Sequence, residues 1–278
     1  MLLSIITINR NNALGLERTM RSVLSQESGE IEYVVVDGAS TDGSVEVIQQ
    51  MAPLFGGRLK WVSEPDCGIY NAMNKGIRMA SGQYIQNLNS GDYLAAKDVT
   101  ARMLVALGQK GMPSILYGNE IKEFPDGKMI IDKGFEGKEI TMLGMYTGTV
   151  NHDTAYIKAS LFEKYGCYDE SLKIVSDWKW FFQAIVLGGE KPLYTDINMT
   201  VDDMTGISET NLPLREEERQ RVLHSLIPDA ILSDYVKYSL QISQMNRLKN
   251  HAWAYRITWF LERCLFKLEK WSRWRNDT

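Results

Sequence analysis

Four short apolar runs, Leu2–Ile8, Ile31–Val36, Leu59–Ser63 and Gln83–Leu88, recur through the start of the chain, and each ends in a polar turn. The segments between them carry apolar residues at helical spacing: Leu14, Leu16, Met20, Val23 and Leu24 in the first, then Ser44–Met51 and Gly68–Ala80. Runs that are apolar on both faces need cover on both sides, so the alternation predicts an α/β fold whose mostly parallel sheet has helices on both faces. Strands in such a sheet end at a common crevice, where ligands bind. The residues to inspect are therefore those after each strand: Thr7 and Asn9, Asp37, Glu64 and Asp66, Asn89 and Asp92.

The pattern changes near Pro113. Ile115–Tyr117 and Met129–Ile131 read as strands around a turn at Pro125-Asp126-Gly127, Ser160–Tyr165 and Asp177–Leu187 as helices, and Leu193–Ile197 as a short strand. Val201–Ser208 is polar and contains glycine, which suggests a mobile lid. Beyond Pro213 the chain reads as helical to its end. The expected organisation is one domain over 1–212, with a first half (1–92) and a second half (93–212), followed by a helical extension over 213–278.

The formal net charge of -4 argues against nucleic acid as a partner, because phosphate contacts call for a basic excess. Cys67, Cys167 and Cys264 are far apart and form no CxxC pair, so buried free thiols are expected rather than a zinc site or disulfides. The opening apolar run is too short to cross a membrane and carries no charged leader or cleavage site. The expected location is the cytoplasm or the inner face of the cytoplasmic membrane.

Residue chemistry alone leaves each polar turn open. Asp37 in Asp37-Gly38-Ala39-Ser40-Thr41-Asp42-Gly43 can accept hydrogen bonds from a base or a ribose, or merely close a turn before a helix that Thr41 or Asp42 caps. Asp92 in Asn89-Ser90-Gly91-Asp92 can hold a divalent cation, but only with help from phosphates and water. Asp177 opens a helix, where the dipole favours its ionised form and it can remove a proton from a hydroxyl; simple capping by Ser176 is the plainer reading. His152, in Asn151-His152-Asp153, can serve a phosphate, a metal or an acceptor. There is no GxSxG, no HExxH and no GxGxxG after the first strand, which counts against hydrolases and dinucleotide-binding dehydrogenases.

Taken together, Ser4-Ile5-Ile6-Thr7-Ile8-Asn9, Val34-Val35-Val36-Asp37-Gly38-Ala39-Ser40-Thr41-Asp42-Gly43, the long run from Ser63 to Ile77 and Leu88-Asn89-Ser90-Gly91-Asp92 resemble the bacterial family 2 glycosyltransferases of polysaccharide biosynthesis. Ser176-Asp177-Trp178 and Thr205-Gly206-Ile207-Ser208 resemble that group's acidic motif and its nucleotide-covering loop. The resemblance implies a GT-A fold, Rossmann-like, and a sugar transfer with inversion from a nucleotide sugar, a UDP-sugar first, to a saccharide or lipid-linked saccharide. Capsule, O-antigen or exopolysaccharide synthesis is the implied setting. It also implies nucleotide contacts from Thr7, Asn9, Asp37, Asp66 and Lys75, a Mg²⁺ or Mn²⁺ ion on Asp92, Asp177 as the base, and phosphate or acceptor contacts from His152, Asn89 and Ser208. One departure stands out: the usual DxD carboxylates are replaced here by Asn89 and Gly91.

The tail from Arg256 to Arg275 interleaves Trp259, Phe260, Phe266, Trp271 and Trp274 with Arg and Lys, as a helix lying on an anionic membrane would. Packing against the rest of the protein, or against a second subunit in a homodimer, is the equal alternative. Two functional rivals remain at this level. A sugar nucleotidyltransferase would need a glycine-rich loop after the first strand, which Thr7–Asn12 lacks; a non-catalytic nucleotide-sugar sensor would bind donor without turnover.

Overall fold

A computed structural model describes residues 2–27, 31–204 and 206–276. The apolar runs become strands β1 (Leu3–Asn9), β2 (Ile31–Asp37), β3 (Leu59–Ser63) and β4 (Tyr84–Asn87), all parallel, in the order β3-β2-β1-β4. Helices α1 (Ala13–Leu24), α2 (Ser44–Met51) and α3 (Ile69–Met79) connect them. Every residue of β2 is buried, as expected for a strand covered on both faces.

The strands' alternation divides the sheet into two faces. Leu3, Ile5, Tyr33 and Val35 join Leu16, Met20, Val23, Ile48 and Phe55 in one apolar cluster. Each such fully buried side chain contributes about 1.5–3 kcal/mol. The opposite face lies under α3, and there Gly76 sits so close to β1 that a Cβ would meet Ile6 Cγ2 at 2.3 Å. Leu14, expected on the apolar face of α1, is 84% exposed. The buried positions Leu16, Thr19, Met20 and Val23 repeat at helical spacing, and Leu14 falls on the far side of that stripe.

Beyond β5 (Tyr93–Leu94) and α4 (Val99–Gln109), the sheet continues through β8 (Ala155–Lys158), β6 (Ile115–Glu123) and β9 (Leu193–Asp203), with β7 (Met129–Asp132) hairpinned onto β6. β4–β8 and β8–β6 are antiparallel and β6–β9 parallel, so the nine-stranded sheet is mixed. Three expectations need correction. β9 runs on to Asp203 because it pairs with both β6 and β5, so Val201–Asp203 is strand and not lid. Ile207–Thr210 is a short helix, α8, while Thr205 lies outside the described residues. The helix from Asp177 is α7 (Ser176–Phe181), which widens into a π-helical stretch over Phe182–Leu187. Helices α5 (Met142–Thr147) and α6 (Ser160–Tyr165) complete this half.

The chain forms two compact units, Met1–Val222 and Leu223–Thr278. The first ends within α9 (Leu212–Leu226), and the second holds the end of that helix together with α10 (Asp229–Lys249) and α11 (Ala252–Asn276). Among the described residues no helix is long and apolar enough to cross a membrane. All three cysteines are free, but Cys67 and Cys167 are exposed and Cys264 half-buried, so they are not the buried thiols expected; none sits on an apolar core position.

Candidate active site

A cleft of about 1020 Å³ opens at the carboxyl ends of β1 and β4 and is walled by β6, β9, α7 and α9. That is ample for a ligand larger than an ordinary small molecule. Parallel register builds its first wall. Asn9, Asp37 and Ser63 stand side by side at three strand ends. Asn9 Nδ2 donates to Asp37 Oδ1 at 2.8 Å, Ser63 Oγ donates to Asp37 Oδ2 at 2.7 Å, and Ser90 Oγ donates to Asn9 Oδ1 at 2.8 Å. Burial pushes the Asp37 carboxyl up, but hydrogen bonds from Ser40, Ser63 and Asn9 outweigh it and hold the group below its ordinary value.

Asn9, Asp66, Asn89, Asp92, His152, Asp177 and Ser208 all face the cleft. Thr7, Asp37 and Lys75 do not. Thr7 is fully buried, donating to the Leu88 carbonyl at 2.7 Å and accepting from Tyr33 at 2.9 Å. Asp37 is equally buried beneath Asn9. Lys75 donates to the Pro65 carbonyl at 2.9 Å and pairs with Glu64 at 2.8 Å, which braces the segment that carries Asp66. Asp66 in turn needs Gly38: a Cβ there would meet Asp66 Oδ2 at 2.1 Å.

At one end of the cleft stands a hydrogen-bonded chain. Asp177 Oδ1 accepts from Tyr70 at 2.7 Å, and Asp177 Oδ2 lies 3.1 Å from His152 Nδ1. Burial alone pushes Asp177 up; the His152 hydrogen bond and charge, then the Tyr70 hydroxyl, bring it below its ordinary value. Burial alone pulls His152 down, but Asp177, with Asp153 and Asp202 behind it, raises it to about 9. At neutral pH the pair is carboxylate and imidazolium. His152 Nε2 lies 3.1 Å from the Asn89 side-chain amide. Asn89 Oδ1 is buried without a partner.

Ser176 does not cap α7. Val175 holds the cap position without a side-chain bond, and the buried Ser176 hydroxyl is unpaired. The backbone before α7 is secured instead by Glu218 of α9, itself 3% exposed. Its carboxyl accepts from the N–H groups of Lys173 at 2.8 Å and Ile174 at 2.9 Å. Tyr70 donates to the Ile174 carbonyl at 2.5 Å, so Asp177 is held from α3 and α9 together.

Beside this chain a group of carboxyls gathers around Asp92, and Lys122, 3.5 Å from Glu120, offsets it only in part. Burial first, then Asp202 and Asp153, raise Asp92 well above its ordinary value. Burial and the same two aspartates raise Glu120 to about 9. Asp92 Oδ1 accepts from the Asp203 N–H at 3.2 Å. The turn is fixed by Thr19, which donates to the Asp92 carbonyl at 2.6 Å, and by Arg18, whose Nε donates to the Gly91 carbonyl at 2.9 Å. Gly91 has φ of +114°, a conformation that L side chains rarely adopt, which explains why no carboxylate stands there. Asp153, Asp202, Glu120, Tyr70 and Glu218 were not singled out from the sequence. Asp153 lay beside His152 and Asp202 within an apparent loop, Tyr70 lay within the run from Ser63 to Ile77 without a role of its own, and Glu218 left no local signal.

Residues 4–155 match the model of the family described as glycosyl transferase family 2. The chain belongs to that family. An uncharacterised glycosyltransferase of Mycobacterium tuberculosis is 32% identical to it over 218 residues, 76% of this chain and 78% of the relative. S. aureus TarS in complex with UDP is similar in fold, with a TM-score of 0.65 at 19% identity, over 88% of this chain and 74% of that one. The mannosyltransferase PcManGT from Pyrobaculum calidifontis, in complex with GDP-Man and Mn²⁺, gives a TM-score of 0.60 at 18% identity, over 78% of this chain and 61% of that one. The mixed, mostly parallel sheet with helices on both faces is thus the GT-A fold of this family.

Proposed function

We propose that this family 2 member moves a sugar from a UDP-sugar to a hydroxyl of a saccharide or lipid-linked saccharide, with inversion, in building a cell-surface polysaccharide on the cytoplasmic side of the membrane. The observation that carries the reading is the opposition, in one cleft, of an ionised carboxylate and a set of crowded carboxyls. Asp177 with His152 suits removal of a proton. Asp92 with Asp202 suits capture of a cation.

The donor set at Asp92 fits Mg²⁺ or Mn²⁺, because it is all oxygen and its mutual repulsion is what a divalent ion relieves. Among the described residues no group of three His, Cys, Asp or Glu closes a metal cage, so diphosphate oxygens would complete the shell held by Asp92 and Asp202. Such an ion, held there, would supply positive charge against the leaving diphosphate. The Mn²⁺ in PcManGT and the UDP in TarS support this choice of ligands.

Asn9 and Asp66 line the nucleoside side of the cleft, with Thr7 and Asp37 fixing Asn9 and its strand from beneath and Lys75 bracing the Asp66 segment. Asp177 takes the proton of the acceptor hydroxyl while Tyr70 and the imidazolium keep its oxygens in place. His152 and Asn89 lie between the base and the Asp92 turn, where a phosphate oxygen would meet the imidazolium's charge. Ser208, on the short helix α8, faces the cleft mouth; its carbonyl accepts from Arg215 at 3.0 Å.

Thermal shift with UDP and GDP, with and without Mn²⁺, tests the donor site. Ligand at a hundredfold excess over Kd should add about 2.7 kcal/mol to stability. A Mn²⁺-dependent shift with UDP, followed by transfer to a saccharide acceptor with inversion, is expected. No shift with any nucleotide sinks the proposal, and binding without transfer from any donor marks a sensor instead.

A further inference from the structure

α11 carries a stripe whose chemistry the sugar-transfer site does not use. Arg256, Trp259, Phe260, Arg263, Phe266 and Lys267 share one side of the helix, about a third of its circumference at 3.6 residues per turn. Lys270 and Trp274 continue the register in the sequence. No acidic residue falls within it; Glu262 and Glu269 lie outside. The aromatic members stand in solvent, Trp259 at 52%, Phe260 at 63% and Phe266 at 64% exposure, and the Arg263 guanidinium lies 4.5 Å from the centre of the Trp259 ring. The half-buried positions of α11, Ala254, Thr258 and Cys264, lie outside the stripe.

Leaving large aromatics in water is costly, and alternating them with cations is unsuited to a protein core. The combination matches the boundary of a bilayer, where rings sit at headgroup depth and Arg and Lys reach outward to phosphates. Charge points the same way: residues 237–276 hold nine Lys and Arg against two acids, in a chain whose formal net charge is -4. A second copy of the stripe would set cations against cations. A spanning helix is ruled out among the described residues by the lack of any sufficiently long apolar stretch.

We propose that this stripe docks α11 in the plane of an anionic phospholipid surface. The inference is independent of the cleft chemistry, and it would hold for a chain that binds no nucleotide.

The test is co-sedimentation of the full chain with vesicles of phosphatidylcholine alone and with about 30% phosphatidylglycerol added. Binding is expected on the anionic vesicles only, and it should weaken as salt rises from about 0.1 to about 0.5 M. Neutralising Arg256, Arg263 and Lys267 together, each to Gln, should weaken binding on the order of 100-fold, from the usual effect of each surface cation. Replacing Trp259, Phe260 and Phe266 with Ser should lower binding even at low salt. Circular dichroism of each variant reports folding, and the wild-type salt and lipid dependence needs no variant at all. Equal binding to neutral and anionic vesicles overturns the proposal. So does absence of binding, including the case in which sedimentation equilibrium finds a dimer that the Ser variant dissociates; the occupant would then be a second copy.

Discussion

Two neighbouring groups in the cleft hold the same kind of side chain in opposite electrostatic settings. Asp177 faces a histidine, and its charge is matched before any ligand arrives. Asp92 faces Asp202 and Asp153, and its charge is opposed until a cation comes. Both groups are withdrawn from water, so burial cannot explain why one falls and the other rises; the neighbour's sign does. A base must be ready to take a proton at neutral pH, whereas a cation site gains from being crowded when empty, because binding then relieves repulsion.

The sharpest way to break this contrast is Asp177→Asn. It should cost about 10²–10⁴-fold in the rate of transfer while leaving the nucleotide-induced thermal shift intact. A loss under tenfold would remove Asp177 as the base. In the other group, Asp202→Asn should cost about 10–100-fold in apparent Mn²⁺ affinity, and Asp92→Asn should abolish the Mn²⁺-dependent part of the UDP shift. Unchanged Mn²⁺ titrations in both variants would show that the crowding serves something else.

The contrast also has a pH signature. His152 is raised to about 9, so its contribution is fully present below its unfolded value of 6.5 and is lost as pH rises through about 9. Asp177 is lowered, so its share is present above its ordinary value of 3.8 and lost in acid below it. The pair therefore stabilises most between those limits, and alkaline loss should reach about 3 kcal/mol. Glu120, raised to about 9, also costs stability as pH climbs from its ordinary value of 4.5. Melting temperature should fall between pH 6.5 and about 9, less steeply with Mn²⁺ present and less steeply in His152→Asn. A curve that ignores both changes would disprove the assignment of charges.

Smaller effects sharpen how the base is held. Glu218→Gln keeps the shape but weakens acceptance from Lys173 and Ile174, and it should cost about 1–3 kcal/mol in chemical denaturation. Tyr70→Phe removes one hydrogen bond to Asp177 and should cost about 1 kcal/mol, with the acid limb of the rate profile moved upward. An unmoved limb would mean that His152 alone sets the base.

The parallel half of the sheet was legible because its signals are local. β-branched runs such as Ile31–Val36 and helical spacing such as Leu16, Met20 and Val23 are written within a few residues, and parallel register then carries Asn9, Asp37 and Ser63 to one edge. Asp66, Asp92, His152 and Asp177 were found by their places at element ends. Local signals misled where long-range pairing decided: Val201–Asp203 looked like a loop because its partners, β6 and β5, are distant in sequence.

The sequence alone thus determined the order of the first four strands and the helices between them, the strand ends that could meet at a cleft and most of the polar groups placed there. Tertiary structure decided which of those groups see open space and what charge each carries. Thr7 and Asp37 went beneath the surface, Lys75 to a brace, and Glu218 emerged as the clamp on α7. The reason is distance along the chain. Tyr70 and Asp177 are 107 residues apart, and Asn89 and His152 are 63 apart. A carboxylate's state is set by neighbours in space, and no periodicity within a strand or helix specifies which sign those neighbours will have.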